Sequence, residues 1–359
     1  MNDESEKSAF AFHGDWREFA PIAFTNLLLT IVTLGLYSFW AKTRVRRYLW
    51  SRTRFIDDRL EWTGTGLELF IGYLLAILLF FLPFGAYQLV LQGVLLRGHA
   101  GIAALMIAPI YFLALYLVGI AIFRALRYRL SRTFWHGIRG GSDDQGLGFG
   151  WQYLWRTIVG TITLGLLIPW SMTSLWNRRW NAMSFGPMRF ESAASAAPLM
   201  KRYLLFYLVP IGLVVLGVVG GMMIGATGIG AGGGVPTPSG LALVGILFVL
   251  IFYGLLGVIA LFFYSAYFRE VVGHLQLGGL EFAFTARTMD WVKFVLGTVG
   301  LVIVTFGVGY IFVAYRNWAF FIRHLEAYGS VDLVDLTQST TRKPGQGEGL
   351  LDAFDVGAF

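Results

Sequence analysis

Residues 26–41, NLLLTIVTLGLYSFWA, decide the fold of this chain. A related stretch, RTIVGTITLGLLIPWS, occupies residues 156–171, and a weaker one, TVGLVIVTFGVGYIFV, occupies residues 298–313. Each is an apolar run that contains a Thr-x-Gly triplet, and the first two superpose when the sequence is shifted by 130 residues. The same shift continues without a gap and places Trp50 on Trp180 and Arg59 on Arg189. The pattern therefore predicts internal repeats.

The composition is that of a membrane protein. Of the 359 residues, 56% are hydrophobic and only 14% are charged, whereas soluble domains carry about 25% charged residues. The net charge of +7 comes from Lys and Arg at the ends of apolar runs, where they orient membrane spans, and this argues against nucleic acid as a partner. The chain has no cysteine, which excludes disulfides and thiolate metal sites.

Hydropathy alone predicts seven crossings, because each apolar stretch has about the 20 residues that a bilayer requires. The seven stretches lie at 19–41, 67–92, 100–123, 151–175, 203–226, 241–268 and 291–315. With seven crossings, Lys and Arg show only a weak excess on one side. If the three Thr-x-Gly segments instead enter and leave by the same face, every Lys and Arg outside the apolar stretches except Arg97 lies on one side.

The second partition agrees better with the positive-inside rule. The sequence therefore predicts an all-α, polytopic protein of the bacterial inner membrane, with most basic loops cytoplasmic, four full spans and three re-entrant or half-inserted Thr-x-Gly helices. Seven transmembrane helices is the alternative. No strand pattern of the length that a transmembrane barrel needs recurs, so we expect no sheet. The predicted divisions are an N-terminal cytoplasmic segment (1–18), repeat 1 (19–150), repeat 2 (151–290), a partial third repeat (291–330) and a disordered tail (331–359).

Polar side chains inside the Thr-x-Gly segments are the first candidate site, because polar groups at membrane depth need partners from protein or water. These candidates are Asn26, Thr30, Thr33, Arg156, Thr161, Thr163 and Thr305. Residues that break helices accompany them, namely Gly35, Gly165, Pro169 and Gly307. A simpler interpretation is that the hydroxyl groups bond back to the preceding turn of a helix.

Basic amphipathic segments follow the helix breaks and predict contacts with anionic lipid headgroups. The candidate contacts are Arg44, Arg46, Arg47, Arg127, Arg178 and Arg179. The alternative is that these cations only orient and anchor the chain.

Function is less constrained. The five histidines show no metal-ligand spacing and no catalytic set can be assembled from the sequence, so we expect no enzyme activity, no metal and no cofactor. Repeats and broken helices favour a transporter or channel for a small or amphiphilic solute. A non-catalytic membrane organiser that binds anionic lipid or a partner protein is the alternative. The sequence leaves the oligomeric state open.

The stretch 26–41, followed by Arg44, Arg47, Tyr48 and Thr53-Arg54, resembles the YjgN-like family of bacterial inner-membrane proteins, a domain of unknown function. The resemblance is specific over residues 10–75 and weaker through the second repeat. It implies a polytopic inner-membrane protein and carries no catalytic residues with it. The chain departs from the expected family pattern at Arg52 and Asp57.

Overall fold

The computed structural model describes residues 9–226, 238–331, 337–343 and 345. The helices in this part of the chain are α1 (Trp16–Val32), α2 (Ser38–Ser51), α3 (Gly66–Ala76), α4 (Leu82–Leu96), α5 (Ala100–Arg132), α6 (Leu147–Ile162), α7 (Ile168–Trp180), α8 (Ala197–Tyr203), α9 (Leu205–Ala226), α10 (Pro238–Gly273), α11 (Thr288–Val304) and α12 (Val313–His324). A π-helical segment, Ile77–Phe81, joins α3 to α4, and a 3-10 helix, Val308–Phe312, precedes α12.

The strands are short. They are β1 (Phe10–Phe12), β2 (Thr53–Phe55), β3 (Asp58–Arg59), β4 (Glu61–Trp62), β5 (Thr133–Trp135), β6 (Ile138–Gly141), β7 (Ser184–Phe185), β8 (Met188–Ser192), β9 (Leu275–Leu277), β10 (Leu280–Phe284) and β11 (Leu325–Gly329).

Among the described residues, four helical segments are long and apolar enough to cross a membrane, and they coincide with the four stretches that the charge distribution predicts to span. Their bounds are Gly66–Leu96, Ala100–Arg132, Ala197–Val219 and Ile246–Gly273. In the most apolar part of each, only 6–17% of the residues are buried within the protein. Since so little of this apolar surface is covered by the chain itself, lipid is its natural solvent.

The chain reverses at each Thr-x-Gly segment, so that α1 and α2, α6 and α7, and α11 and α12 form helical hairpins. The residue between Thr and Gly has a positive φ at all three turns, 51° at Leu34, 52° at Leu164 and 49° at Phe306. The glycine that follows has a φ near +90°, which only glycine adopts without strain. The apolar side chains of Leu34, Leu164 and Phe306, at the tips of these hairpins, are 83–98% exposed.

The prediction of an all-α fold is wrong. The strands form a three-stranded sheet of order β1-β2-β3 and an eight-stranded antiparallel sheet of order β11-β10-β9-β8-β7-β6-β5-β4. One residue separates β3, the edge strand of the smaller sheet, from β4, the edge strand of the larger sheet. The eight-stranded sheet curls, so that β1 lies beside β11 and the ring of Phe10 in β1 lies 6.3 Å from that of Phe282 in β10.

The sheet also relates the helices to one another. Four helices, α2, α5, α7 and α10, each lead within three residues into a hairpin of neighbouring strands. The hairpins after α5, α7 and α10 are neighbours in the eight-stranded sheet, and the hairpin after α2 belongs to the three-stranded sheet that precedes it by one residue in the chain. The ends of all four helices therefore lie on the same side of the protein. Each segment between consecutive hairpins therefore returns to the side from which it left, as a helical hairpin or as a pair of long helices.

Candidate functional site

A cavity of about 330 Å³ lies between the sheet and the ends of the helices. Its size falls within the ~300–1,000 Å³ of typical ligand pockets. The strands and turns of the sheet contribute Phe10, Phe55, Leu60, Trp135, Phe185, Met188, Phe190, Leu275, Leu277, Phe282, Phe284 and Leu325, and the helix ends contribute Leu126, Trp176, Arg179, Trp180, Phe268, Val272, Trp318, Phe321 and Ile322. The wall is thus almost wholly aromatic and aliphatic, which suits the apolar part of a ligand.

The aromatic wall is held by specific contacts. Trp135 is 1% exposed, packs on Phe55 with ring centroids 4.9 Å apart, and donates its indole N–H to the Phe55 carbonyl oxygen over 3.0 Å. Trp180 packs edge-on against Phe190 at 4.8 Å. Aromatic pairs at such distances contribute about 0.5–1.5 kcal/mol beyond the area that they bury. These contacts join neighbouring hairpins and α7 into one wall.

Arg179 is the charged residue of this wall. Among the described residues that line the cavity, it alone carries a charge. It is 7% exposed, its guanidinium carbon lies 5.4 Å from the Trp176 ring centroid, and its Nε has no hydrogen-bond partner in the described part of the chain. Burial lowers the pKa of Arg179 to about 10, with Arg129 also lowering it and Tyr267 opposing the shift. A buried unpaired cation costs several kcal/mol.

The three threonines of the Thr-x-Gly segments make the same two local bonds. Thr33, Thr163 and Thr305 each donate the hydroxyl to the carbonyl oxygen four residues earlier, over 2.7–2.9 Å. Each hydroxyl oxygen also accepts from the backbone N–H four residues later, over 2.7–3.4 Å. They therefore fix the turn between two helices. Thr161 bonds back to Thr157, and the Thr30 carbonyl oxygen accepts from Gly35 N–H over 2.7 Å.

The other polar candidates join the two arms of a hairpin. The Asn26 side-chain amide donates to the Ala41 carbonyl oxygen over 3.3 Å, and the Arg156 guanidinium lies 5.5 Å from the Trp170 ring centroid. The third hairpin has a comparable contact, from Arg316 Nε to the Thr298 hydroxyl over 3.0 Å, which sequence reasoning did not single out. Gly35, Gly165 and Gly307 lie in the turns, and Pro169 lies in the first turn of α7.

The structure divides the six candidate headgroup contacts into two groups. Arg44, Arg47 and Arg178 are exposed. Arg46, Arg127 and Arg179 are buried, at 9%, 3% and 7% exposure. The guanidinium of Arg46 lies 5.1 Å from the Trp62 ring, and Arg127 donates to the Asp144 carbonyl oxygen over 3.1 Å. The buried three therefore contact the protein itself.

A second cavity, of about 430 Å³, is polar. It lies between the β7–β8 hairpin and residues 340–341, and both acidic and basic side chains line it, including Asp143, Asp144, Arg178 and Arg189. Part of the C-terminal segment contacts the body here. Gln338 donates to the Gly137 carbonyl oxygen over 2.8 Å, and Arg342 N–H donates to Asp143 over 3.1 Å.

Two hairpin turns contact each other through Asp57 and His136. Nε2 of His136 lies 3.0 Å from Oδ1 of Asp57, and this hydrogen bond lowers the pKa of Asp57. No group of three or more histidine or acidic residues suited to a metal ion occurs within the described residues.

Sequence reasoning missed the wall of the cavity, although a signal for it is present. Residues 275–284, LQLGGLEFAF, alternate apolar and polar side chains around a Gly-Gly turn, and in the structure their outward and inward faces alternate in the same way. Such a pattern is typical of a β-hairpin with a two-residue turn.

Four long apolar helices, three helical hairpins and a sheet at one end define a multi-pass membrane protein with an attached ligand-sized cavity. Comparison with known proteins agrees with this class. Residues 7–353 match the family described as "Bacterial protein of unknown function (DUF898)", and the chain belongs to that family. The resemblance drawn from residues 26–54 is thereby confirmed.

The relatives are inner-membrane proteins. The chain is similar to the Inner membrane protein YjgN of Escherichia coli K12, at 27% identity over 157 residues, and to that of Salmonella typhimurium, at 25% over 160 residues. Each match covers 44% of this chain and 36% of the relative. No solved structure matches the chain significantly.

Proposed function

We propose that this chain is a non-catalytic membrane protein that binds an amphiphilic ligand in the cavity between the sheet and the helix ends. The observation that carries the proposal is the almost wholly aromatic and aliphatic wall of that cavity. An amphiphile dissolved in the bilayer is close to the cavity, because the helices that cross the membrane end at the sheet. Transfer from one apolar environment to the other then costs little, and shape and aromatic contacts select the ligand.

Binding fits these observations better than conduction does. A solute path across a bilayer is lined by polar groups that face the interior of a helix bundle. The long helices bury only 6–17% of their most apolar segments within the protein. The polar candidates Thr33, Thr163 and Thr305 are engaged in local bonds at the hairpin turns. These features support a protein that holds a ligand beside the membrane.

The orientation and the lipid contacts are part of the same proposal. The side that carries the sheet also carries the exposed cations Arg44, Arg47 and Arg178. Positive charge is retained on the cytoplasmic side of bacterial membranes. We therefore assign the sheet to the cytoplasm and these three arginines to contacts with anionic headgroups.

An internal duplication would account for the similarity between repeat 1 (19–150) and repeat 2 (151–290). Phe55 and Phe185, which are 130 residues apart, both end the first strand of a hairpin, and they pair with Asp58 and Met188 respectively. The matching turns at Leu34, Leu164 and Phe306 support the same origin.

The test uses the full chain in nanodiscs of neutral phosphatidylcholine, with the neutral fluorophore N-phenyl-1-naphthylamine as the probe and empty nanodiscs as background. Met188→Trp places a larger side chain in the cavity, and overpacking costs about 1–3 kcal/mol. We expect this variant to bind the probe about tenfold more weakly, which corresponds to ~1.4 kcal/mol. Met289→Trp is the control, because Met289 is 60% exposed and does not line the cavity. Equal saturable binding by all three proteins, or none by the wild type, would refute the proposal.

A further inference from the structure

Arg179 lines the aromatic cavity and is buried, although the sequence predicts a headgroup contact at the protein surface. It lies near the end of α7, one residue before Trp180, and both side chains line the cavity. Its neighbour Arg178 is exposed and lines the separate polar cavity. Of these two adjacent arginines, Arg179 lines the aromatic cavity and Arg178 lines the polar cavity.

Within the part of the chain that the structure describes, no acidic side chain is paired with Arg179. The groups that act on the guanidinium are Tyr267, which is a phenol, and Arg129, which is a second cation. Trp176 covers one face of the guanidinium, and Nε is buried without a hydrogen-bond partner in the described residues. Proteins that keep a buried charge pair it with an opposite charge or with a ligand. An anionic group at the cavity wall would supply the opposite charge.

We infer that the ligand is a single-chain amphiphile with an anionic head, that its head binds Arg179 and that its alkyl chain occupies the aromatic cavity. This inference rests on the proposed function, since it names the chemistry of the ligand for the same site. A guanidinium presents its donors in a planar fork that matches the oxygen atoms of a carboxylate or a phosphate monoester. The volume of about 330 Å³ is at the lower end for ligand pockets, which favours one chain over two.

Displacement of the same fluorophore from the nanodisc-embedded protein tests the inference. The competitors are dodecanoate, monododecyl phosphate and dodecanol, which share a chain and differ in the head. We expect at least one of the two anions to displace the probe at a concentration about tenfold lower than dodecanol does, since a hydrogen bond to a charged group is worth about that factor or more. The anion that competes better identifies the head.

Variants assign the preference to Arg179. In Arg179→Gln, the anion and dodecanol should displace the neutral fluorophore at equal concentrations. Arg178→Gln is the matched control and should keep the wild-type preference, because Arg178 is outside the cavity. Arg179→Lys keeps the charge and should retain a reduced preference, so it serves where the glutamine variant does not fold.

The outcomes separate the two ideas. If Met188→Trp binds the fluorophore about tenfold more weakly than the wild type, but the anions and dodecanol displace it from the wild type at equal concentrations, this inference fails and the proposed function stands. An anion preference that persists in Arg179→Gln also overturns the inference. If the fluorophore does not bind saturably, the proposed function itself fails.

Discussion

The long helices and the sheet differ in what covers their apolar side chains. In the four candidate spans, 6–17% of the most apolar segment is buried by the protein. Around the sheet, by contrast, Trp135, Phe123, Val271 and Leu280 are at most 2% exposed and belong to one continuous core. The helices thus depend on lipid, whereas the sheet and the helix ends form a body with a core of its own. The ligand-sized cavity lies in that body and not among the long helices.

Because all strands of one sheet lie on the same side of the membrane, segments next to the sheet should be accessible to a thiol reagent from one side of the membrane only. The cysteine-free chain allows single cysteines at two exposed positions. His99→Cys, at the turn between α4 and α5, should react with an impermeant thiol reagent on intact cells. Ser195→Cys, between β8 and α8, should react only after the cells are permeabilised. Labelling of Ser195→Cys from outside would favour the inverted, seven-crossing arrangement.

Replacing a buried tryptophan in the core around the sheet should lower the stability of the protein far more than replacing an exposed tryptophan. Trp135→Ala removes a side chain that is 1% exposed, and such a change costs about 3–5 kcal/mol. Trp151→Ala removes one that is 64% exposed and should change stability by about 0.5 kcal/mol or less. Thermal unfolding followed by circular dichroism in a nonionic detergent measures both. Similar melting temperatures for the two variants would contradict a separate core.

The smallest expected effect is at the contact between hairpin turns. Asp57→Asn removes a charge that is hydrogen-bonded to His136, and because both side chains are more than a third exposed, the loss should not exceed about 1 kcal/mol. The folded-state pKa of Asp57 is lowered. The wild-type advantage should therefore be complete above the unfolded pKa of about 3.9 and disappear as the pH falls through the lower folded value.

Melting temperatures of the two proteins between pH 3 and pH 7 test this. Asp58→Asn is the control, because Asp58 lies farther from the histidine ring, at 3.7 Å. An advantage that grows toward acid pH would show that the pair does not act in this way.

The sequence predicted the membrane class, the family and the number of long spans, because these depend on properties that are local along the chain. A run of apolar residues and the position of its flanking cations are sufficient to identify a span. The chain reversals at Gly35 and Gly165 were also anticipated, since threonine hydroxyls and glycine act within one turn of helix.

The sheet was not predicted, because a strand that crosses a bilayer needs about ten residues and no pattern of that length recurs in the sequence. The strands here have two to five residues and lie in the connections between helices. Leu275–Leu277 and Leu280–Phe284 carry an alternating pattern, but β7 has two residues and contains no pattern of its own. Such strands form because their neighbours in the sheet supply the hydrogen bonds and the apolar contacts.

What the sequence determined alone is which long segments are apolar enough to cross the bilayer, because hydropathy is a property of each segment independently of the others. What only the tertiary structure decided is the cavity and the place of Arg179 in it. The sequence does not distinguish Arg178 from Arg179, because they are neighbours in one basic segment. In the structure Arg178 is exposed, whereas Arg179 is buried beside Trp176, at 7% exposure. Their difference arises from side chains distant in sequence, which pack on one face of α7 and leave the other open.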